Sequence, residues 1–169
     1  YVSLSIRWLA PRLHHFKKSH PHIDLQLSSF NPDWEFDEDN ADIGLIYTQA
    51  PVASHLHWIA LFSADLFAVC SPDLLKDSTQ SVSTAQLAEL PLLAVASEAK
   101  YWTWQQWFTS AGITEIDSCD VITVDTAAAA IEMAINGEGV ALVSEPIVSA
   151  DLKAGRLVKP VEHCMKGDG

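Results

Sequence analysis

Val121-Ile-Thr-Val-Asp-Thr-Ala-Ala-Ala-Ala-Ile-Glu-Met-Ala-Ile-Asn-Gly-Glu-Gly-Val-Ala-Leu-Val-Ser144 carries the reading of the fold. Val121 to Val124 is a short apolar run with strand character. Thr126 to Asn136 reads as a helix, and Gly137 closes it where a positive φ is wanted. Val140 to Val143 reads as the next strand, with Ser144 just past its end. Strand, helix and strand in succession are the unit of an α/β fold with mostly parallel sheets.

The same alternation extends in both directions. Upstream, Ser83 to Leu90 is a short helix, Pro91 to Ala96 a strand, and Tyr101 to Ser110 a helix ended by Gly112. Downstream, Pro146 to Ala154 is a helix closed by Gly155, and Leu157 to Lys159 a last strand. A long β-like stretch runs from Trp58 to Cys70, interrupted around Ser63-Ala-Asp65. At the start, Tyr1 to Leu4 reads as a strand end before a helix that carries Leu9, Leu13 and Phe16 on one face. Pro11 falls inside that pattern, so the helix is either kinked or begins near Ala10, and His20-Pro21 stops it. Ile23 to Leu27 alternates apolar and polar like a strand, Asn31 to Asn40 is an acidic connection, and Asp42 to Tyr47 is a further apolar strand. Two α/β units divided near Ser63 to Asp65 fit this order better than one continuous sheet.

Composition bounds the function. Hydrophobic residues make up 49% of the 169 and charged residues 19%, a globular composition. No apolar run approaches the ~18 residues of a membrane-spanning helix. The chain opens at Tyr1, so the lack of a leader segment says nothing. The formal net charge of −12 repels phosphate backbones, which excludes nucleic-acid binding by this segment alone. Cys70, Cys119 and Cys164 are odd in number and lack CxxC spacing, which favours unpaired thiols in a reducing compartment, hence a cytoplasmic location.

Ligands of open α/β sheets settle beyond the carboxyl ends of strands, where helix N-termini offer unpaired N–H groups. Small hydroxyl residues stand at nearly every such junction. Ser3 and Ser5 lie between the first strand and its helix, and Ser28 and Ser29 follow the second strand. Tyr47 and Thr48 end the third, Ser97 follows Pro91 to Ala96, Asp125 and Thr126 follow Val124, and Ser144 follows Val143. Each alone reads equally as a cap or turn residue. Together, across two facing lobes, they would line one cleft for a small metabolite.

Other chemistry reads poorly. Ser97-Glu-Ala-Lys100 spells an SxxK, but the partner SDN and KTG motifs are absent, so it reads as a chance match. His14-His15, His20-Pro-His22 and His55-Leu-His57 lack the second ligand pair of a zinc site, and no metal is expected. Asp33 to Asn40 lacks the glycine of a calcium loop. Trp104, Trp107 and Phe108 share a helix face, which reads as core rather than as a stacking platform with Trp102. Without a glycine-rich phosphate loop, GxSxG or HExxH, neither a cofactor nor catalysis is expected.

Beyond these readings, Arg7-Trp-Leu-Ala-Pro-Arg-Leu13, Phe16 and His20-Pro-His-Ile-Asp-Leu25 together resemble the opening of the effector-binding domains of LysR-type transcriptional regulators. The resemblance is to the subgroup of the glycine-cleavage activator and the β-lactamase regulator. Asp42-Ile-Gly-Leu45, Leu66-Phe-Ala-Val-Cys-Ser-Pro-Asp-Leu74, Leu87 with Pro91-Leu-Leu93, and Trp104-Gln-Gln-Trp107 before Ala111-Gly112 follow in the family's order. Ala134-Ile-Asn-Gly-Glu-Gly-Val-Ala-Leu142 and Asp151-Leu-Lys-Ala-Gly-Arg-Leu-Val-Lys-Pro160 complete it, so nearly the whole chain is covered.

The resemblance implies a two-lobed, type II periplasmic-binding-protein-like α/β fold. Its first lobe would span residues 1–62, its second 63–159, and 160–169 would cross back, with the first lobe's closing segment beyond Gly169. It further implies an effector such as an amino acid between the lobes, with Ser3, Tyr47, Thr48 and Thr126 at family contact positions. DNA binding through a preceding helix-turn-helix and assembly as a homodimer or tetramer are also implied. Two departures touch the cleft. Ile46-Tyr47-Thr48 replaces the subgroup's Arg-Tyr-Gly, and Leu4-Ser5 replaces its Phe-Ala, so the effector's identity does not carry over. The alternative is a transporter's solute-binding protein of the same fold.

Overall fold

The computed structural model describes residues 2–28, 41–48, 55–63, 65–75, 82–98, 102–115 and 119–167. The opening stretch is helical from the second residue: α1 (Val2–Leu4) leads through a π-helical turn (Ser5–Leu9) into α2 (Ala10–Ser19). The strand end expected at Tyr1 to Leu4 is therefore replaced by helix over Val2–Leu4. The expected kink or late start at Pro11 is resolved by the wide turn: Ala10 N–H bonds back to Ser5 O, five residues earlier. Pro11 has no N–H to give and crowds the carbonyl of Arg7, so an extra residue in the preceding turn relieves the clash.

One sheet organises the rest. Its strands are β1 (Leu66–Val69), β2 (Leu92–Val95), β3 (Val121–Val124), β4 (Val140–Val143) and β5 (Cys164–Met165), in the order β3-β2-β4-β1-β5. β2 pairs parallel with β3 and β4, while β1 pairs antiparallel with β4 and β5. The expectation of mostly parallel pairing thus holds for the strand-helix-strand core and fails at β1. That strand enters from the first part of the chain rather than through a crossover helix, so nothing forces its direction.

Helices cover both faces. α5 (Ala127–Ile135) packs on one face with Phe67, Val69, Leu93, Ala141 and Val143. α4 (Trp104–Ser110) packs on the other with Leu66, Ala68, Leu92, Val140 and Leu142. Successive strand residues alternate between the two cores, which is why β1 and β4 read as unbroken apolar runs and are buried throughout. Trp104, Trp107 and Phe108 are all buried, as the core reading expects, and each indole N–H is satisfied. Trp104 Nε1 donates to Leu93 O at 3.0 Å and Trp107 Nε1 to Leu66 O at 3.2 Å.

Smaller elements shrink or move relative to the expectation. The helix at Ser83 to Leu90 is only α3 (Thr84–Leu87), opened by a reciprocal cap between Ser83 and Gln86. Tyr101 lies outside the described residues, and Thr103 caps α4. The helix at Pro146 to Ala154 divides into a 3-10 turn (Glu145–Ile147) and α6 (Ser149–Lys153). Leu157 to Lys159 makes a single bridge, Val158 to Cys70, rather than a strand.

Ile23 to Leu27, Asp42 to Tyr47 and Trp58 to Phe62 form no strand, and Ile43 is 82% exposed. The alternation there marks which side chains want one face. A strand also needs a neighbour to take its backbone hydrogen bonds, and none lies beside these stretches among the described residues.

Candidate functional site

The N-terminus of α5 lies just beyond the carboxyl end of β3, where the sequence predicts a ligand end. Thr126 is extended (φ −135°, ψ 149°) and its hydroxyl accepts from Ala129 N–H at 3.3 Å. A second hydroxyl joins it from the far end of the chain: Ser3 Oγ accepts from Ala128 N–H at 2.9 Å, and Ser3 is 2% exposed. Two side-chain oxygens thus occupy adjacent amides at the positive end of one helix.

An ion network holds the first helix in that place. Arg7 donates through Nε to Ile147 O at 2.8 Å and through Nη1 to Glu132 at 2.7 Å, and its Nη2 pairs with Asp151 Oδ2. Asp151, 1% exposed, also takes Arg156 on its other oxygen, with Nε at 2.9 Å. Both carboxylate oxygens are used, as a buried charge requires. In the sequence Arg7, Asp151 and Arg156 stand only within the family-like motifs, and neither they nor Glu132 are among the expected site residues. No local pattern marks the network, because Arg7 lies 144 positions from Asp151 and 125 from Glu132, and only Arg156, five positions from Asp151, is a near partner.

The remaining expected residues divide. Ser5 is half-buried in the π-helical turn, two residues before Arg7. Tyr47 and Thr48 are half-buried, and the Tyr47 ring meets Trp102 edge-on at 5.0 Å. Ser144 is half-buried ahead of the turn that carries Ile147, so it neighbours the network. Ser97 lies in a 3-10 turn (Ala96–Glu98) after β2. Ser28 is exposed, and Ser29 lies outside the described residues. Ser3 and Thr126 are therefore brought together at one helix end. Ser28 is not joined to them by any contact described here.

Other titrating groups sit elsewhere. Cys70 is buried and its thiol is pushed up to about 12 by desolvation. Asp65 is held below its ordinary value by the hydrogen bond from Lys166 at 2.6 Å. Among the described residues no group of three or more His, Cys, Asp or Glu side chains is placed to hold a metal, and no helix is long and apolar enough to cross a membrane. The acidic stretch Asp33 to Asn40 lies outside the described residues.

Residues 2–166 match the LysR substrate binding domain family. The glycine cleavage system transcriptional activator of Escherichia coli K12 is 30% identical over 158 residues, 94% of this chain and 50% of that protein. The HTH-type transcriptional activator AmpR of Rhodobacter capsulatus is 30% identical over 162 residues, 94% of this chain and 52% of that protein. The chain therefore spans about half the length of the curated relatives it matches. The solved effector domain of AmpR from Pseudomonas aeruginosa superposes with a TM-score of 0.72 at 28% identity, covering 98% of this chain and 77% of that one. That likeness gives the α/β fold class, the type II periplasmic-binding-protein-like one. This chain belongs to the LysR substrate binding domain family.

Proposed function

We propose that the chain is the ligand-sensing regulatory domain of a LysR-type transcriptional regulator, binding a small metabolite between two lobes to modulate transcription. The observation that carries this reading is the meeting of Ser3 and Thr126 at the α5 N-terminus. A helix end of this kind attracts carboxylates and other oxygen anions, such as that of an amino acid. The hydroxyl of Ser3, close to the start of the chain, stands in for such an oxygen. The lobes would be residues 1–62 and 63–159, with 160–169 crossing back.

An effector oxygen would compete with Ser3 for the Ala128 amide and change how the first helix rests on α5 and α6. A ligand shifts such an equilibrium only by its difference in affinity for the two arrangements, commonly about 1–3 kcal/mol of coupling. Subunit packing, as a homodimer or tetramer in the cytoplasm, would transmit the change to DNA-reading heads that precede this segment. The named relatives are transcriptional activators rather than transport proteins, which favours this reading over a transporter's solute-binding protein. No catalytic role is assigned to any residue.

The test is a titration of the chain with amino acids and peptidoglycan fragments, followed by the fluorescence of its six tryptophans. A saturable response that Thr126→Val abolishes supports the reading. A flat response across a broad metabolite library overturns it.

A further inference from the structure

Ser3 and Arg7 both reach from the first helix across to α5. Ser3 Oγ accepts from Ala128 N–H at 2.9 Å, and Arg7 Nη1 donates to Glu132, further along the same helix, at 2.7 Å. Arg7 is the more firmly held of the two, because it also grips α6 through Asp151 and donates to Ile147 O at 2.8 Å. The wide turn Ser5–Leu9, closed by Ala10 N–H on Ser5 O, begins between them. Arg12 folds back on that turn, with Nη1 on Trp8 O at 2.7 Å and its guanidinium 5.0 Å from the Trp8 ring.

We propose that Pro11 is a positioning residue for the effector end: the wide turn it enforces sets the rotation of Ser3 relative to Arg7 and so seats the Ser3 hydroxyl on Ala128. In a regular α-helix, residues four positions apart are about 40° out of line. A turn with an extra residue rotates less per residue, which brings Ser3 and Arg7 closer to one line. Pro11 sustains that turn, since it gives Arg7 O no N–H and its ring crowds that carbonyl. With an N–H at position 11 the turn tightens to a regular one. Arg7 is clamped to α6, so Ser3 is the residue that swings away from the amide.

The inference rests on the reading of the α5 N-terminus as the place where an effector oxygen competes with Ser3, and it names what sets the strength of that competitor. Ala128 N–H lies in the first turn of α5, where amides have no acceptor within the helix. Its exchange with solvent therefore reports the Ser3 contact directly, with or without an effector. Ala129 N–H, held by the Thr126 hydroxyl at 3.3 Å, is the control beside it.

Amide hydrogen exchange of the whole isotope-labelled chain, followed by NMR, tests the proposal. Pro11→Ala is expected to speed exchange at Ala128 by about fivefold, the factor that an ordinary hydrogen bond represents, and to leave Ala129 unchanged. Ser3→Ala alone is expected to speed Ala128 to the same extent and to add nothing in the Pro11→Ala background. Pro11 is exposed, so its replacement removes no packing, and Pro11→Gln is expected to reproduce the result. Unchanged exchange at Ala128, equal acceleration of Ala128 and Ala129, or additive effects of the two substitutions overturns the proposal. A flat metabolite titration overturns the sensing reading instead, while the amide measurement still decides the role of Pro11.

Discussion

Arg7 and Asp151 are paired across 144 positions of the chain, and the carboxylate they share with Arg156 is almost wholly withdrawn from water. This pair, with the Ser3 to Ala128 hydrogen bond, is what fastens the first helix to the sheet-bearing part of the molecule. The two contacts differ in kind. One is a buried charge that must be met, the other a neutral cap that improves a helix end.

Removing the carboxylate leaves Arg7 at the seam without its buried partner. Asp151→Ala is expected to destabilise the fold by about 3 kcal/mol, at the low end for broken buried pairs because Arg156 can turn to solvent. Glu132 is 62% exposed, so Glu132→Gln is expected to cost about 0.5 kcal/mol or less. Urea unfolding of the two variants measures the contrast, and equal losses contradict it.

Ser3→Ala strips an acceptor from a part-buried amide and is expected to cost about 1 kcal/mol. Thr126→Ala removes the cap itself and is expected to cost about 1 kcal/mol. The two hydroxyls serve neighbouring amides, so the double variant is expected to depart from additivity. Denaturant midpoints of the three variants give the coupling.

Gly139 permits the approach of β4 to β2. A Cβ there would lie 2.8 Å from Pro91 O and 3.0 Å from Leu93 Cγ, and Pro91 O accepts from Val140 N–H at 2.8 Å. Gly139→Ala is expected to cost about 2 kcal/mol through displaced backbone. Gly137, at φ 81° with open space around it, is strained only by conformation, so Gly137→Ala is expected to cost about 1 kcal/mol. Thermal unfolding separates the two.

Cys70 keeps its proton far above the ordinary thiol value of 9.0, up to about 12. In the unfolded chain the thiol ionises from about pH 9, while the folded state holds it neutral. The contribution of Cys70 to stability is therefore complete below pH 9 and is lost as pH rises towards 12. At pH 8.5, mass spectrometry after brief iodoacetamide treatment should find the exposed Cys164 labelled and Cys70 unmodified until urea is added.

The legible parts of the sequence are those whose signal is local. The run from Val121 to Ser144 carries its own cap, stop and apolar runs, and its strand-helix-strand order appears in the structure with a helix one residue shorter at each end. The core character of Trp104, Trp107 and Phe108 follows likewise from one helix face. Ile23 to Leu27 and Asp42 to Tyr47 show a strand's alternation yet lack a ladder, because pairing belongs to two segments at once. At the site, Thr126 was readable as a cap. Its meeting with Ser3 was not, since 125 positions separate the hydroxyl of Ser3 from the amide of Ala128.

The residues alone determined the α/β class, the central strand-helix-strand unit and the aromatic core, because propensity, capping and periodicity act over a few neighbouring positions. Only the tertiary structure decided the antiparallel entry of β1, the burial of Asp151 between two arginines and the seating of Ser3 on α5. These depend on which distant surfaces meet, and desolvation then dictates which charges and hydroxyls must find each other there.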